Sequence, residues 1–209
     1  MRTPHLMKGV TAAGLTLWAA LPLSGQSRLS VLFGFDQAPD AAVVEWMERE
    51  TAALFSEAGV AFSWQEEDRS NDLGATDLVV WVRFHGDCRA SSGSLSLPTD
   101  GALGWTESQD GDIQPLIDVD CDRAAALVWR NRGTVPMPLT TRAFGRALGR
   151  ILAHELYHYL TGSAVHGASE LFSRTMHPGF LLSEKVRFEN SEITALREGL
   201  KVRAGGGER

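Results

Sequence analysis

The residues best suited to chemistry lie in one short run, His154-Glu155-Leu156-Tyr157-His158. In a helix, residues four apart stack one turn above the other on the same face. His154 and His158 would then aim two imidazoles at one point, and imidazole is the commonest side-chain ligand for a transition metal. Glu155 sits about 100° round the helix from His154. It could reach a water at that point without itself being a ligand, so the run reads as two metal ligands and a general base.

The flanking residues strengthen this reading. Phe144, Leu148, Ile151, Leu152 and Tyr159 form an apolar stripe at helical spacing, and Glu155 falls inside it with the two histidines along its edge. A carboxylate on a buried face costs several kcal/mol unless something compensates its charge. A cation held by the two imidazoles would do so. The bland alternative, satisfied core histidines with a glutamate reaching solvent, leaves the position of Glu155 in the stripe unexplained. Tyr157, on the opposite side from Glu155, reads as packing.

A catalytic zinc takes three protein ligands and keeps a fourth position for water. Gly162 lets the chain leave the helix in a left-handed turn, and His166 follows four residues later, close enough to return beneath the first pair. His166 is the preferred third ligand; Glu170 and Glu184 compete with it. His85 and His177 read as solvated histidines near the ends of elements and are left out.

The elements that must position these groups follow from pattern. Strands are expected at 28–35, 60–65 and 77–84, the last rich in β-branched and aromatic residues. A helix from Asp40 to Ala58 is stopped by Gly59. Residues 102–106 and 114–119 read as two strands joined through Gln109-Asp110-Gly111-Asp112, an Asp-Gly turn. Segments 88–99 and 133–138 read as loops. The long helix runs from about Thr140 to Leu160, and a short terminal helix spans 191–200. Strand, helix, strand, strand opens an α+β or α/β layer.

The N-terminus has a separate logic. Arg2 and Lys8 precede an apolar stretch from Val10 to Leu21, followed by Pro22, Ser24, Gly25 and Ser27, the order of a secretory signal. The stretch is short for a membrane span. The expected organisation is a signal over 1–27, one domain over 28–203 and a Gly-rich disordered tail over 204–209. Secretion or export to a periplasm follows, with no stable membrane insertion once the signal is removed. Cys88 and Cys121 are then an even pair in an oxidising compartment, and a disulfide between them is the default. The net charge of −6, with no Lys/Arg run, argues against a nucleic-acid partner. Apolar content of 44% with 22% charged residues excludes a disordered chain or a membrane bundle.

The motif resembles that of the metzincin clan of zinc endopeptidases, in its matrixin-like or archaemetzincin-like forms. The clan's typical HExxHxxGxxH is followed by a Met-containing turn beneath the zinc. Here the run is HELYHYLTGSAVH, one residue longer before Gly162 and one longer before His166. Met176 is placed as the Met-turn residue, and Pro178 two residues later looks like the matrixin branch, where the next segment walls the main specificity pocket. The resemblance implies an α+β, zincin-like fold: a mixed twisted sheet, a backing helix, an active-site helix and a small C-terminal subdomain after the Met-turn. It further implies zinc, a peptide or protein substrate lying along the edge strand 102–106, and peptide-bond hydrolysis with Glu155 as base. Two alternatives stay open: a catalytically silent zinc-binding module on a peptidase scaffold, and a gluzincin-like enzyme with Glu170 or Glu184 as third ligand.

Overall fold

A computed structural model describes residues 26–67, 76–90, 101–131, 137–167, 169, 171 and 173–205. The expected signal, apart from its last two residues, lies outside them, as does most of the 88–99 loop. The 133–138 loop falls outside up to residue 136; the backbone of 137 and 138 is described and already helical.

Five strands form one sheet in the order β2-β1-β3-β5-β4. These are β1 (Ser27–Gln37), β2 (Val60–Glu66), β3 (Leu78–Asp87), β4 (Gly104–Gln109) and β5 (Asp112–Asp120). The pairs β1–β2, β1–β3 and β3–β5 are parallel, and β4 pairs antiparallel with β5 as an edge strand. The sheet is mixed, as expected. β3 shows why it has two unlike faces: Leu78, Val80, Val82 and Phe84 are buried while Trp81 and Arg83 between them are exposed, the period-2 signature of a strand covered on one side.

The covering layer is helical. Helix α1 (Ala41–Phe55) buries Val43, Met47, Leu54 and Phe55. The long helix α3 (Met137–Thr161) buries the whole stripe of Phe144, Leu148, Ile151, Leu152 and Tyr159. Helices α4 (Pro178–Leu182) and α5 (Asn190–Gly205) follow. Ile193, Leu196 and Leu200 of α5 join the same core, and this helix takes in the first two residues of the expected tail.

Two elements were not foreseen, the short α4 and a longer helix ahead of α3. Cys121–Asn131 forms helix α2 directly after β5. Its local signal is a cap: the Asp120 carboxylate accepts a hydrogen bond from the Arg123 N–H at 3.0 Å, satisfying a free amide of the first turn. The expected Cys88–Cys121 disulfide is present and fastens the start of α2 to the chain just beyond β3.

A buried ionic knot fixes α4 against α3. Arg150, fully buried, donates from Nε to Glu50 of α1 at 2.7 Å. Its terminal nitrogens donate to the carbonyls of Phe180, Leu181 and Ser183 at 2.7–2.9 Å. Arg146 donates to the other Glu50 oxygen at 3.0 Å and to the carbonyls of Ser183 and Glu184 at 2.9 Å. The two guanidiniums thus serve the carbonyls at the C-terminus of α4, of which Phe180 also accepts from the Ser183 N–H at 3.2 Å.

Candidate metal centre

The C-terminal half of α3 carries His154, Glu155 and His158 into the interior, each only 5–6% exposed. Gly162 ends the helix with φ at +66°, a left-handed turn that glycine adopts without steric cost. The chain then folds back so that His166 faces the pair. Its ring centroid lies 5.3 Å from that of His154 and 4.9 Å from that of His158. One nitrogen from each of the three rings falls within a 4.8 Å span.

The hydrogen bonds fix which nitrogens carry the ring protons. Nδ1 of His154 lies 2.6 Å from the Leu171 carbonyl and Nδ1 of His158 lies 2.6 Å from the Ser163 carbonyl. A carbonyl only accepts, so both Nδ1 atoms carry their protons and both Nε2 atoms present lone pairs in the neutral ring. Those two Nε2 atoms face each other at 3.0 Å. A proton between them would make one ring cationic, which burial opposes: it pushes the His154 pKa down to about 4, with His158 and His166 adding to the effect and the Leu171 carbonyl resisting it. Burial lowers His158 as well. Two converging lone pairs without a proton ask for a metal cation. Two Zn–N bonds of about 2.0–2.1 Å at a tetrahedral angle would set the nitrogens about 3.3 Å apart, so the donor set fits zinc.

Glu155 is the second oddity of this wall. Burial pushes its pKa up to about 7, and a hydrogen bond from Thr106 partly counters the shift. The Thr106 hydroxyl lies 2.8 Å from Glu155 Oε2 and 3.1 Å from the Glu155 carbonyl. Thr106 belongs to β4, which comes this close because its neighbour is Gly104. A Cβ there would stand 2.9 Å from Ile151 and 3.1 Å from Glu155. The edge strand is therefore packed directly against the helix that carries the three groups.

A cleft of about 660 Å³ runs between β4 and the segment 173–176. His154, Glu155, His158 and His166 line it together with Met176, which packs against the core. Trp105 also lines it, 40% exposed, with its ring parallel to that of His85.

His154, His158 and His166 come together, Glu155 sits beside them, and Met176 lies on the cleft wall. Glu184 does not join them: its carboxylate pairs with Arg146 at 3.4 Å and Arg142 at 3.7 Å. Glu170 lies outside the described residues. His85 is not a solvated histidine; its Nε2 stands 2.6 Å from Asp118 and its Nδ1 3.4 Å from Asp36, and the Asp118 hydrogen bond raises its pKa. Sequence reasoning missed Thr106 and the carbonyls of Leu171 and Ser163. Thr106 alone had a visible signal, since it shares one face of the expected strand with Gly104, opposite Trp105.

No known family's sequence profile matches this chain, and no curated protein sequence matches it. A solved structure does: the crystal structure of archaemetzincin from Methanopyrus kandleri aligns over 87% of this chain and 99% of that one, with a TM-score of 0.50 and 14% identity. The fold is archaemetzincin-like. At this identity the likeness is one of fold. In the archaemetzincin-like frame, the mixed sheet with its antiparallel edge strand, the long α3 and the segment carrying Met176 enclose the cleft described above.

Proposed function

We propose that this protein is an exported zinc peptidase in which His154, His158 and His166 hold the metal and Glu155 is the general base. The observation that carries the reading is the convergence of unprotonated imidazole nitrogens beside a buried carboxylate on the wall of an open cleft. The neighbour's name agrees with the clan that the HELYHYLTGSAVH run resembles. The disulfide and the N-terminal sequence support export to an oxidising compartment.

A zinc ion in this site would supply positive charge that polarises a peptide carbonyl and acidifies a water. The chain's own part is separable from that. The Leu171 and Ser163 carbonyls hold the His154 and His158 imidazoles in the tautomer with Nε2 unprotonated and fix the orientation of each ring. Glu155 takes a proton from water at a carboxylate oxygen and returns it to the leaving amine. Thr106 steadies Oε2 for this transfer by donating a hydrogen bond. The outer edge of β4, which has no neighbouring strand among the described residues, can receive an extended peptide, as in β-augmentation.

The test compares zinc-loaded protein, chelator-treated protein and Glu155→Gln on a mixed peptide library. Cleavage by the first alone is expected. Cleavage by none, with zinc retained, would favour the silent zinc-binding module.

A further inference from the structure

We infer that Arg174 is a specificity-determining residue that selects peptides bearing a carboxylate close to the scissile bond. The inference rests on the peptidase reading above.

Among the described residues, Leu103, Ile113, Leu127 and Met176 give the cleft an apolar lining, and beyond the histidines its charged side chains are Glu155 and Arg174. Glu155 is buried against Thr106. Arg174 is exposed on the 173–176 wall, and among the described residues no carboxylate pairs with it. It is close enough to His166 for its charge to help lower that ring's pKa, after burial and His158. Its backbone is held in place: the Thr175 N–H donates to Ser173 Oγ at 3.3 Å, a local turn with Arg174 at its corner.

A substrate extended along β4 turns alternate side chains toward the 173–176 wall. One of them meets the Arg174 guanidinium beside the metal site, where a carboxylate can accept two parallel hydrogen bonds. That carboxylate can belong to an Asp or Glu side chain or to the free C-terminus of a short peptide. The chemistry is shared, and the experiment separates the sources.

Zinc-loaded protein is given three matched peptides: neutral and amidated, Glu-bearing and amidated, and neutral with a free C-terminus. The readout is kcat/KM relative to the neutral amidated peptide. Wild type should favour a carboxylate peptide by roughly threefold to tenfold, the range of a partly exposed ion pair, and the preference should shrink as salt rises. It should approach one in Arg174→Gln and reverse in Arg174→Glu, and the arm that carries it identifies the source. A wild-type ratio of one, or a preference that survives Arg174→Glu, overturns the assignment while cleavage leaves the peptidase reading standing. If no peptide is cleaved, the peptidase reading fails, and calorimetric titration of the same peptides decides the rest. A binding preference lost in Arg174→Glu upholds carboxylate recognition; equal binding, or a preference that survives the variant, overturns it.

Discussion

Replacing Glu155 with glutamine should make the metal-free protein more stable while abolishing its activity. Glu155 is 5% exposed, and burial raises its pKa from the ordinary 4.5 to about 7. Folded protein therefore keeps a proton on Glu155 that the unfolded chain releases from about pH 4.5 upward. Stability is lost as pH rises through that window, the reverse of a salt-bridged carboxylate, and the loss is complete above about pH 7. At about 1.4 kcal/mol per pH unit the full penalty is about 3 kcal/mol. Glutamine has no charge to desolvate and can still accept from Thr106. In the presence of chelator at pH 8, Glu155→Gln should gain about 3 kcal/mol, or about 6–12 °C in Tm for a domain of this size; near pH 4 the gain should vanish. His154 acts with the opposite sign, since a ring held neutral down to about pH 4 costs stability as pH falls below 6.5. That contribution cancels in the difference between the two proteins. Bound zinc offsets the carboxylate's charge, so the gap should narrow when metal is present. Thermal unfolding at several pH values, with chelator or zinc, measures all of this. Equal or lower stability of the variant at pH 8 without metal would refute the claim that Glu155 is a buried charge awaiting a cation.

Three other predictions concern the groups around the site. Thr106→Val removes the hydrogen bond that holds down the Glu155 pKa; the acidic limb of the pH–rate profile should move to higher pH and kcat/KM should fall about tenfold. Arg150→Ala leaves Glu50 and three carbonyls short of a partner and should cost about 3–5 kcal/mol in urea unfolding. Replacing both Cys88 and Cys121 by alanine opens a link between residues 33 apart and should cost about 3–4 kcal/mol by the same measurement.

The groups legible in the sequence were those fixed by local geometry. Two histidines four apart share a helix face whatever the fold, and Gly162 marks a left-handed exit wherever the helix lies. The edge position of β4 came from the family resemblance, and its strand character from local pattern. What escaped depends on elements distant in sequence meeting in space. Arg150 and Glu50 are separated by 100 residues, so nothing near either forecast a fully buried arginine. The partners that fix the histidine tautomers are backbone carbonyls, which leave no trace in residue type. Helix α2 carries a stripe at helical spacing, Cys121, Ala124, Ala125 and Val128, but its small residues make that stripe faint and its cap sits at the end of a strand. Glu184 was a reasonable rival to His166 until Arg142 and Arg146 were seen to engage it.

In the proposed site three imidazole nitrogens hold one zinc. Zinc-edge X-ray absorption on the purified protein, together with metal stoichiometry, tests it most directly. One zinc per chain is expected, bound by three nitrogens at about 2.0–2.1 Å and one oxygen, with zinc lost at neutral pH in His154→Ala, His158→Ala and His166→Ala but kept in Glu184→Ala. Protein that binds no zinc, or binds it equally well without His166, would contradict it.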